Sequence, residues 1–443
     1  MADEEHVHFL IQGTSVWNEW RKENPSIVPD LSGVNLTQDS LLDLRYHEID
    51  LSGANLRGAE LRGVSLGGAK LINVILDNAN LGSANLRYVD LRGAKLNNTF
   101  LGGADLSHAN LSHLDFTSAN LISAKCEQAD FTGADLSGKY LSNVDLTEAV
   151  LVRAKLRGAF LPDAKLNRAV LIESDLTDTS FQKGELIAAD LSGAQMSGAS
   201  LWRAVLLGAK LKKANLQKAN LTEANLQEAD VSGATLSEAV LRDADLRDAK
   251  LESADLSHAN LELAHLVSTD LAKANLVGCL VYGISAWDLC LKGSTQSDLV
   301  ITPTDEPRIT ADNLEVAQFI YLLLNNEKIR DVIQTVTSRA VLILGRFTAE
   351  RKLILDSLRN TLRRTGYVPI LFDFPPSPRR DLTETIQLLA NMAKFVIADL
   401  TEAKSIPQEL SNIIPFLPSV PIQPIILASE RIYSMYEHWK GFK

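Results

Sequence analysis

Residues 52–71 read SGANLRGAELRGVSLGGAKL. Leucine returns at Leu56, Leu61, Leu66 and Leu71, and two places before each stands Ala54, Ala59, Val64 or Ala69. A helix repeats its face about every 3.6 residues and a strand every second residue, so a period of five belongs to neither. Only a backbone that turns the same corner every five residues points each fifth side chain the same way.

The pattern extends far in both directions. From Leu31 to Leu276 every fifth residue is apolar, and 43 of these 50 positions are Leu. The exceptions are Tyr46, Phe116, Cys126, Phe131, Phe181, Met196 and Val231. The phase never slips, which predicts a run without insertion or deletion. The motif resembles the A-(D/N)-L-x-x pattern of pentapeptide-repeat proteins, legible as Ala54-Asn55-Leu56 and Ala219-Asn220-Leu221. That resemblance implies a right-handed quadrilateral β-helix, with one pentapeptide per side and four per coil, Leu and Ala inside and the other three residues in water. At about 4.8 Å per coil, about twelve coils make a rod of roughly 60 Å.

One pentapeptide buries too little to be stable alone, so stability is cooperative along the stack and both ends need covers. Residues 1–29 are expected to form a helical N-terminal cap, with Val7, Leu10, Ile11, Trp17 and Trp20 on its apolar side. The repeat solenoid is placed at 30–300, with Ile284, Trp287, Leu289 and Leu291 as a plug at its far end. The first coil is irregular, with Asp39, Leu44, Tyr46 and Ile49 in inward slots. Lys139 stands in a slot that calls for Ala. A buried unpaired ammonium is costly, so local distortion is expected, with the stem reaching out of the core.

Read modulo twenty, the outward residues stack into columns. One column holds Phe100, Tyr140 and Phe160; a second on the same side holds Ile122, Pro162 and Trp202. Neighbouring sides add Val150, Val152, Val170, Ile172, Ile187, Val205 and Leu207. A contiguous apolar patch marks a surface for a protein partner or a second copy; the same columns also stabilise a sheet by cross-strand packing. Residues 30–300 carry 34 acids and 25 bases. The surplus is acidic, yet stretches such as LKKANLQKANL interleave the signs. A charge-mixed solvated surface is a simpler account than a DNA mimic, and no nucleic-acid partner is expected.

The whole-chain composition narrows the class. The net charge is −11 over 443 residues. No run of 18 apolar residues predicts a membrane span, and MADEEHVHFLIQG lacks the features of a signal peptide. Cys126, Cys279 and Cys290 read as reduced thiols of a cytoplasmic protein. The eight His residues form no ligand cluster, so no metal is expected, and there is no P-loop or G-x-G-x-x-G.

After Pro307 ordinary periods return. A helical linker is expected over 301–338, opened by Asp312 with Glu315 as a capping pair and broken at Asn325-Asn326. Over 339–443, continuous apolar strands (AVLILGRF, YVPILFDF, KFVIADLT, IQPIILAS) alternate with amphipathic helices, which predicts an α/β domain with a parallel sheet. The crevice beyond the strands' C-terminal ends is the default site there. LILGRF, VIADLTEAKSIPQEL and the element order resemble the flavodoxin-like group containing TIR-like and nucleoside-deoxyribosyltransferase-like domains. That resemblance implies NAD or a nucleoside as ligand and Glu409 as the carboxylate acting at the N-glycosidic bond; Gly345, Arg346, Asp373, Asp399 and the loop through Ser405 fall on the strand-end edge itself, with Arg346 and the helix start at Thr348 placed to hold a phosphate. The departures are Ser405-Ile406 in place of the aromatic-Cys pair and the absence of a further strand. Glu409 and Ser405 also serve as ordinary helix-start residues, with Gln408 completing a capping box, and Asp399 as a loop tie. No cofactor is required by the remainder of the chain, and the rod offers no catalytic constellation.

Overall fold

The computed structural model describes residues 2–36, 48–303, 309–345, 349–373, 389–399, 401 and 420–426. The chain divides into two compact units, Met1–Tyr321 and Leu322–Lys443.

The first unit is a four-sided β-helix. From Asp50 onward, every fifth residue bridges the residue twenty later in parallel, from Asp50–Lys70 through to Leu280–Val300, with Lys95–Asp115 and Asn120–Tyr140 missing from the series. The side built by Leu221 to Asn225 shows why the motif demands its residues. Leu221 N–H donates to Val240 O of the next coil at 2.7 Å, Glu223 N–H to Arg242 O at 2.9 Å, and Asn225 N–H back to Ala204 O at 2.9 Å. Ala224 N–H closes a four-residue turn onto Leu221 O at 3.0 Å. That leaves the amide of Thr222, which donates to the Asn220 side-chain oxygen at 3.0 Å. All five amides are satisfied here, and where the repeat has Asp or Asn before the central Leu, as at Asn220, that side chain supplies the one acceptor that the backbone cannot. The same contact recurs at Asp30–Ser32, Asp50–Ser52 and Asp145–Thr147.

Inside, Leu221 and Ala224 are fully buried, as are nearly all their counterparts. Larger centres are offset by smaller ones: Phe116 and Phe131 lie 5.7 Å apart, and Cys126 takes the slot between them in sequence. The third residue of the turns is left-handed from Gly53 to Asp298, Ser118 excepted. Gly53 has φ +71°, but Lys183, Glu223 and Ala188 occupy the same position at 55–57°. A turn with φ above zero at its third residue suits Gly, so each such side chain costs strain that the stack holds in place.

Helices α1 (Glu4–Ile11) and α2 (Thr14–Glu23) cover the first coil. Leu10, Trp17 and Trp20 are buried. The cap also completes backbone hydrogen bonds that a preceding coil would have made. Trp17 Nε1 donates to Asp50 O at 2.7 Å, Asn18 Nδ2 donates to Glu48 O and its oxygen accepts from Asp50 N–H. Arg21 reaches Ser52 O at 2.9 Å. Ile11, expected on the apolar side, is exposed instead.

Two expectations about the ends are corrected. Asp30 pairs with Asn55 and Asn35 with Glu60, steps of 25 rather than 20. The first coil thus holds an extra pentapeptide, and a scan at period five cannot see an insertion of five. Ile49 is buried as its slot requires; Asp39, Leu44 and Tyr46 lie outside the described residues. At the other end Ile284 is buried and Leu289 and Leu291 pack against the core, but Trp287 is exposed and coiling continues past all four through Cys290, Thr295 and Val300, so they do not end the stack. The cover comes from later in the chain. Strand β1 (Leu299–Val300) pairs antiparallel with β2 (Thr310–Ala311), and helix α3 (Leu314–Asn325) buries Leu314 and Ala317 in the rod's core. Gln318 accepts from Ala286 N–H at 3.0 Å, and Gln296 accepts from Leu314 N–H at 2.8 Å. The N-cap of α3 is Asn313, whose oxygen accepts from Val316 N–H; Asp312 instead accepts from Asp298 N–H.

The second unit contains α4 (Glu327–Arg339), β3 (Ala340–Gly345), α5 (Ala349–Arg364), β4 (Val368–Asp373), β5 (Phe395–Asp399) and β6 (Ile422–Ile425). The four strands form one parallel sheet in the order β4-β3-β5-β6. Every residue of β3 is buried, as a strand covered on both faces requires. Helix α5 stops at Gly366, whose φ of +83° lets Tyr367 N–H bond back to Leu362 O at 2.9 Å. The sheet region of the expected α/β domain is therefore present; its helices over 374–388 and 402–419 lie outside the described residues.

Candidate functional site

The rod places Phe100, Ile122, Tyr140 and Phe160 on one side, on successive coils. Phe100, Ile122 and Tyr140 are 45%, 43% and 54% exposed, while Phe160 is half-buried. The Tyr140 and Phe160 rings stack with centroids 4.9 Å apart. The Phe100 ring lies over two glycines: a Cβ added at Gly102 or Gly82 would meet its ring carbons at 2.6 and 2.8 Å. Those glycines seat a ring rather than provide positive φ, a role visible only once residues twenty apart are known to touch.

Trp202 is on the same side but farther along. Arg203 stacks over its ring at 4.6 Å and Lys183 approaches at 5.7 Å, so it is half-covered by cations. Between Arg62 and Asp163 every outward residue of this side is uncharged, with Asn, Ser and Gly filling the places between the rings and Ile122. Elsewhere the rod is laced with ion pairs between adjacent coils, such as Arg153–Glu173 at 2.8 Å, Arg168–Glu148 at 3.3 Å and Arg203–Glu223 at 2.6 Å.

Beside the same side sits Lys139. Its stem leaves the core and Nζ donates to Thr117 O at 2.9 Å and Ala119 O at 2.7 Å. This is the distortion expected from its slot. Burial pushes its pKa down, and the charge of Asp115 acts the other way.

In the second unit Gly345, Asp373 and Asp399 end three neighbouring strands at one sheet edge, Gly345 paired with Asp373. Asp399 is already engaged. It accepts from Arg351 Nε at 2.8 Å and Nη2 at 2.7 Å, from Thr401 N–H at 3.1 Å and from Thr401 Oγ1 at 2.7 Å. Both members of the ion pair are buried. Arg351 went unread in the sequence, where it stands beside Lys352 in the first turn of α5 and nothing marks it as the buried one of the two. Arg346, Thr348, Ser405 and Glu409 lie outside the described residues. Among the described residues no group of His, Cys, Asp and Glu is disposed to hold a metal, and no helix is long and apolar enough to cross a membrane.

The pentapeptide-repeat profile matches eight overlapping copies between residues 49 and 280, covering more than half the chain. The chain belongs to the pentapeptide-repeat family. Its β-helix is accordingly the right-handed form. Among solved structures this pentapeptide-repeat protein is similar to HetL of the cyanobacterium Nostoc sp. strain PCC 7120, a pentapeptide repeat protein involved in heterocyst differentiation regulation. The two are 30% identical over 56% of this chain and 92% of that one, with a TM-score of 0.28. It is similar to Rfr23 from the cyanobacterium Cyanothece 51142 at 28% identity, over 28% of this chain and 87% of that one, TM-score 0.16. QnrB1, a plasmid-mediated fluoroquinolone resistance protein, is 18% identical over 46% of this chain and 81% of that one, TM-score 0.18. No curated protein matches the sequence.

Proposed function

We propose that this pentapeptide-repeat protein is a non-enzymatic interaction scaffold, whose contact face for a protein partner or a second copy is the side carrying Phe100, Ile122, Tyr140 and Phe160, with Trp202 at its far end. The observation that carries this reading is the stretch between Arg62 and Asp163, free of charge and bearing exposed rings, on a rod otherwise covered in ion pairs. Interface cores are depleted in charge and enriched in aromatic residues. Replacing Phe160 and Trp202 together with Ser is expected to leave the fold intact, since both are outward, and to abolish the assembly or partner capture seen by light scattering and pull-down. An unchanged assembly and unchanged capture would reduce the columns to sheet packing.

A second reading concerns the C-terminal unit alone: a TIR-like domain binding NAD or a nucleoside, with Glu409 at the N-glycosidic bond. The sheet order favours it, because β3 and β5 leave in opposite directions from the middle of the sheet, and ligands of such sheets lie in the crevice at that switch point. Against it, Asp399 is committed to Arg351 and Thr401. Incubation with NAD and with nucleosides decides it: base release that disappears in Glu409→Ala supports this reading, and neither release nor a ligand-induced rise in melting temperature removes it.

A further inference from the structure

We propose that Lys139 is a positioning residue for the contact face: standing in an alanine slot, it wedges two coils apart and sets how far Tyr140 and Ile122 project. The inference rests on the proposed contact face for its use, but its structural core is independent.

Between Asp50 and Val300 the bridge series lacks two steps, Lys95–Asp115 and Asn120–Tyr140. Both border the segment from Asp115 to Asn120, the one that Lys139 touches. Elsewhere the residue after an alanine slot donates back to the preceding coil, as Phe100 N–H does to Ala79 O and Phe160 N–H to Lys139 O, both within 2.9 Å. By that rule Tyr140 N–H belongs on Ala119 O. That oxygen is taken by the Lys139 ammonium, and Tyr140 N–H and Leu121 N–H have no acceptor among the described residues. Thr117 O is similarly diverted, and the Asn98 N–H that would reach it goes to Ser118 Oγ at 3.3 Å.

The wedge costs stability. An alanine there would restore the ladder and bury no charge, so a residue that breaks the local rule without a packing gain points to function. Its effect falls on the face itself: Tyr140 follows it in sequence and is the most exposed of the face's residues, whereas Phe160, one regular coil later, is half-buried. Asp115 is the charged group that faces the ammonium.

Hydrogen exchange resolved by residue tests this on the intact chain. In the wild type, the amides of Tyr140 and Leu121 should exchange at least about tenfold faster than those of Phe160 and Leu141, whose bonds are closed. Lys139→Ala should bring them level, raise the rod's melting temperature and slow nitration of Tyr140. Lys139→Met, which keeps the length without the ammonium, should leave the ladder open and lower the melting temperature. Unchanged exchange or unchanged Tyr140 nitration in Lys139→Ala overturns the inference, whatever becomes of the contact face. If the Phe160→Ser, Trp202→Ser double variant loses a partner that Lys139→Ala still holds with undiminished affinity, the face stands and the positioning role falls. If both lose it, both stand.

Discussion

The two units both stack parallel strands, and they solve the same problem by opposite means. In the C-terminal sheet the central strand β3 is buried on both faces and reaches its neighbour β4 through helix α5, so each pairing joins distant stretches of chain. In the rod each strand is a single bridge residue, its neighbour from Asp50 onward lies twenty residues away, and where the repeat has Asp or Asn before its centre that side chain takes the turn amide left over. Among the described residues each unit also has a cation rooted in its interior. Arg351 stays buried and is neutralised by Asp399; Lys139 has no carboxylate within bonding distance, and leaves the core to bond carbonyls. A stack of shallow coils has room to let a lysine out, while a sheet covered on both faces must pair its charge.

That contrast is broken most severely at its buried ion pair. Asp399→Ala leaves the Arg351 guanidinium unpaired and is expected to cost about 3–5 kcal/mol, confined to the C-terminal unit. Two-transition melting followed by calorimetry should show the later or earlier transition of that unit shift alone; a shift of both would mean the units do not unfold separately. Next comes a rod centre: Leu201→Ala empties a fully buried slot and should cost about 2–5 kcal/mol, read from the denaturant midpoint of the other transition.

The turn carboxylates give a smaller effect with a pH signature. Burial raises the pKa of Asp105, but hydrogen bonds from Ser107 and Arg87 outweigh it and hold the carboxyl below its ordinary range. Asp30 is lowered foremost by the Ser32 amide. A folded pKa below the unfolded value of about 3.9 stabilises above that pH and is lost as pH falls through the folded value. The rod should therefore weaken on acidification below about pH 4, and Asp105→Ala should cost about 1–2 kcal/mol at neutral pH while flattening that dependence. An acid slope as steep in the variant as in the wild type would assign the effect elsewhere. Smallest is the left-handed turn. Ala188 has φ +55° and makes no side-chain hydrogen bond, so Ala188→Gly should stabilise by about 1 kcal/mol, whereas the same change in a helix destabilises. A loss of stability would show the turn carries no strain.

Legibility followed the same division. The rod was readable because Leu56 and Ala59 each mean the same thing fifty times over, so local chemistry repeated becomes architecture. What escaped were relations at a distance of twenty: the ring of Phe100 on Gly82, the carbonyls awaiting Lys139, and the α3 cover supplied by Leu314 and Ala317 after the period had ended. In the sheet, the strands were readable from their apolar runs and the edge positions of Gly345, Asp373 and Asp399 followed from strand order. The Arg351–Asp399 pair was not, since Arg351 and Asp399 lie 48 residues apart and no period links them.

The extra pentapeptide near the start has a consequence of its own. Adding or removing five residues leaves every leucine in the core, yet it advances all that follows by one side, a quarter turn about the axis. Interior and exterior are therefore inherited separately: the core keeps time by fives, the surface by twenties. A single five-residue insertion ahead of Asn80 would carry the whole aromatic face, unaltered in its own neighbourhoods, to a new bearing relative to the N-terminal cap. Such a chain can re-aim what it presents without redesigning what holds it together.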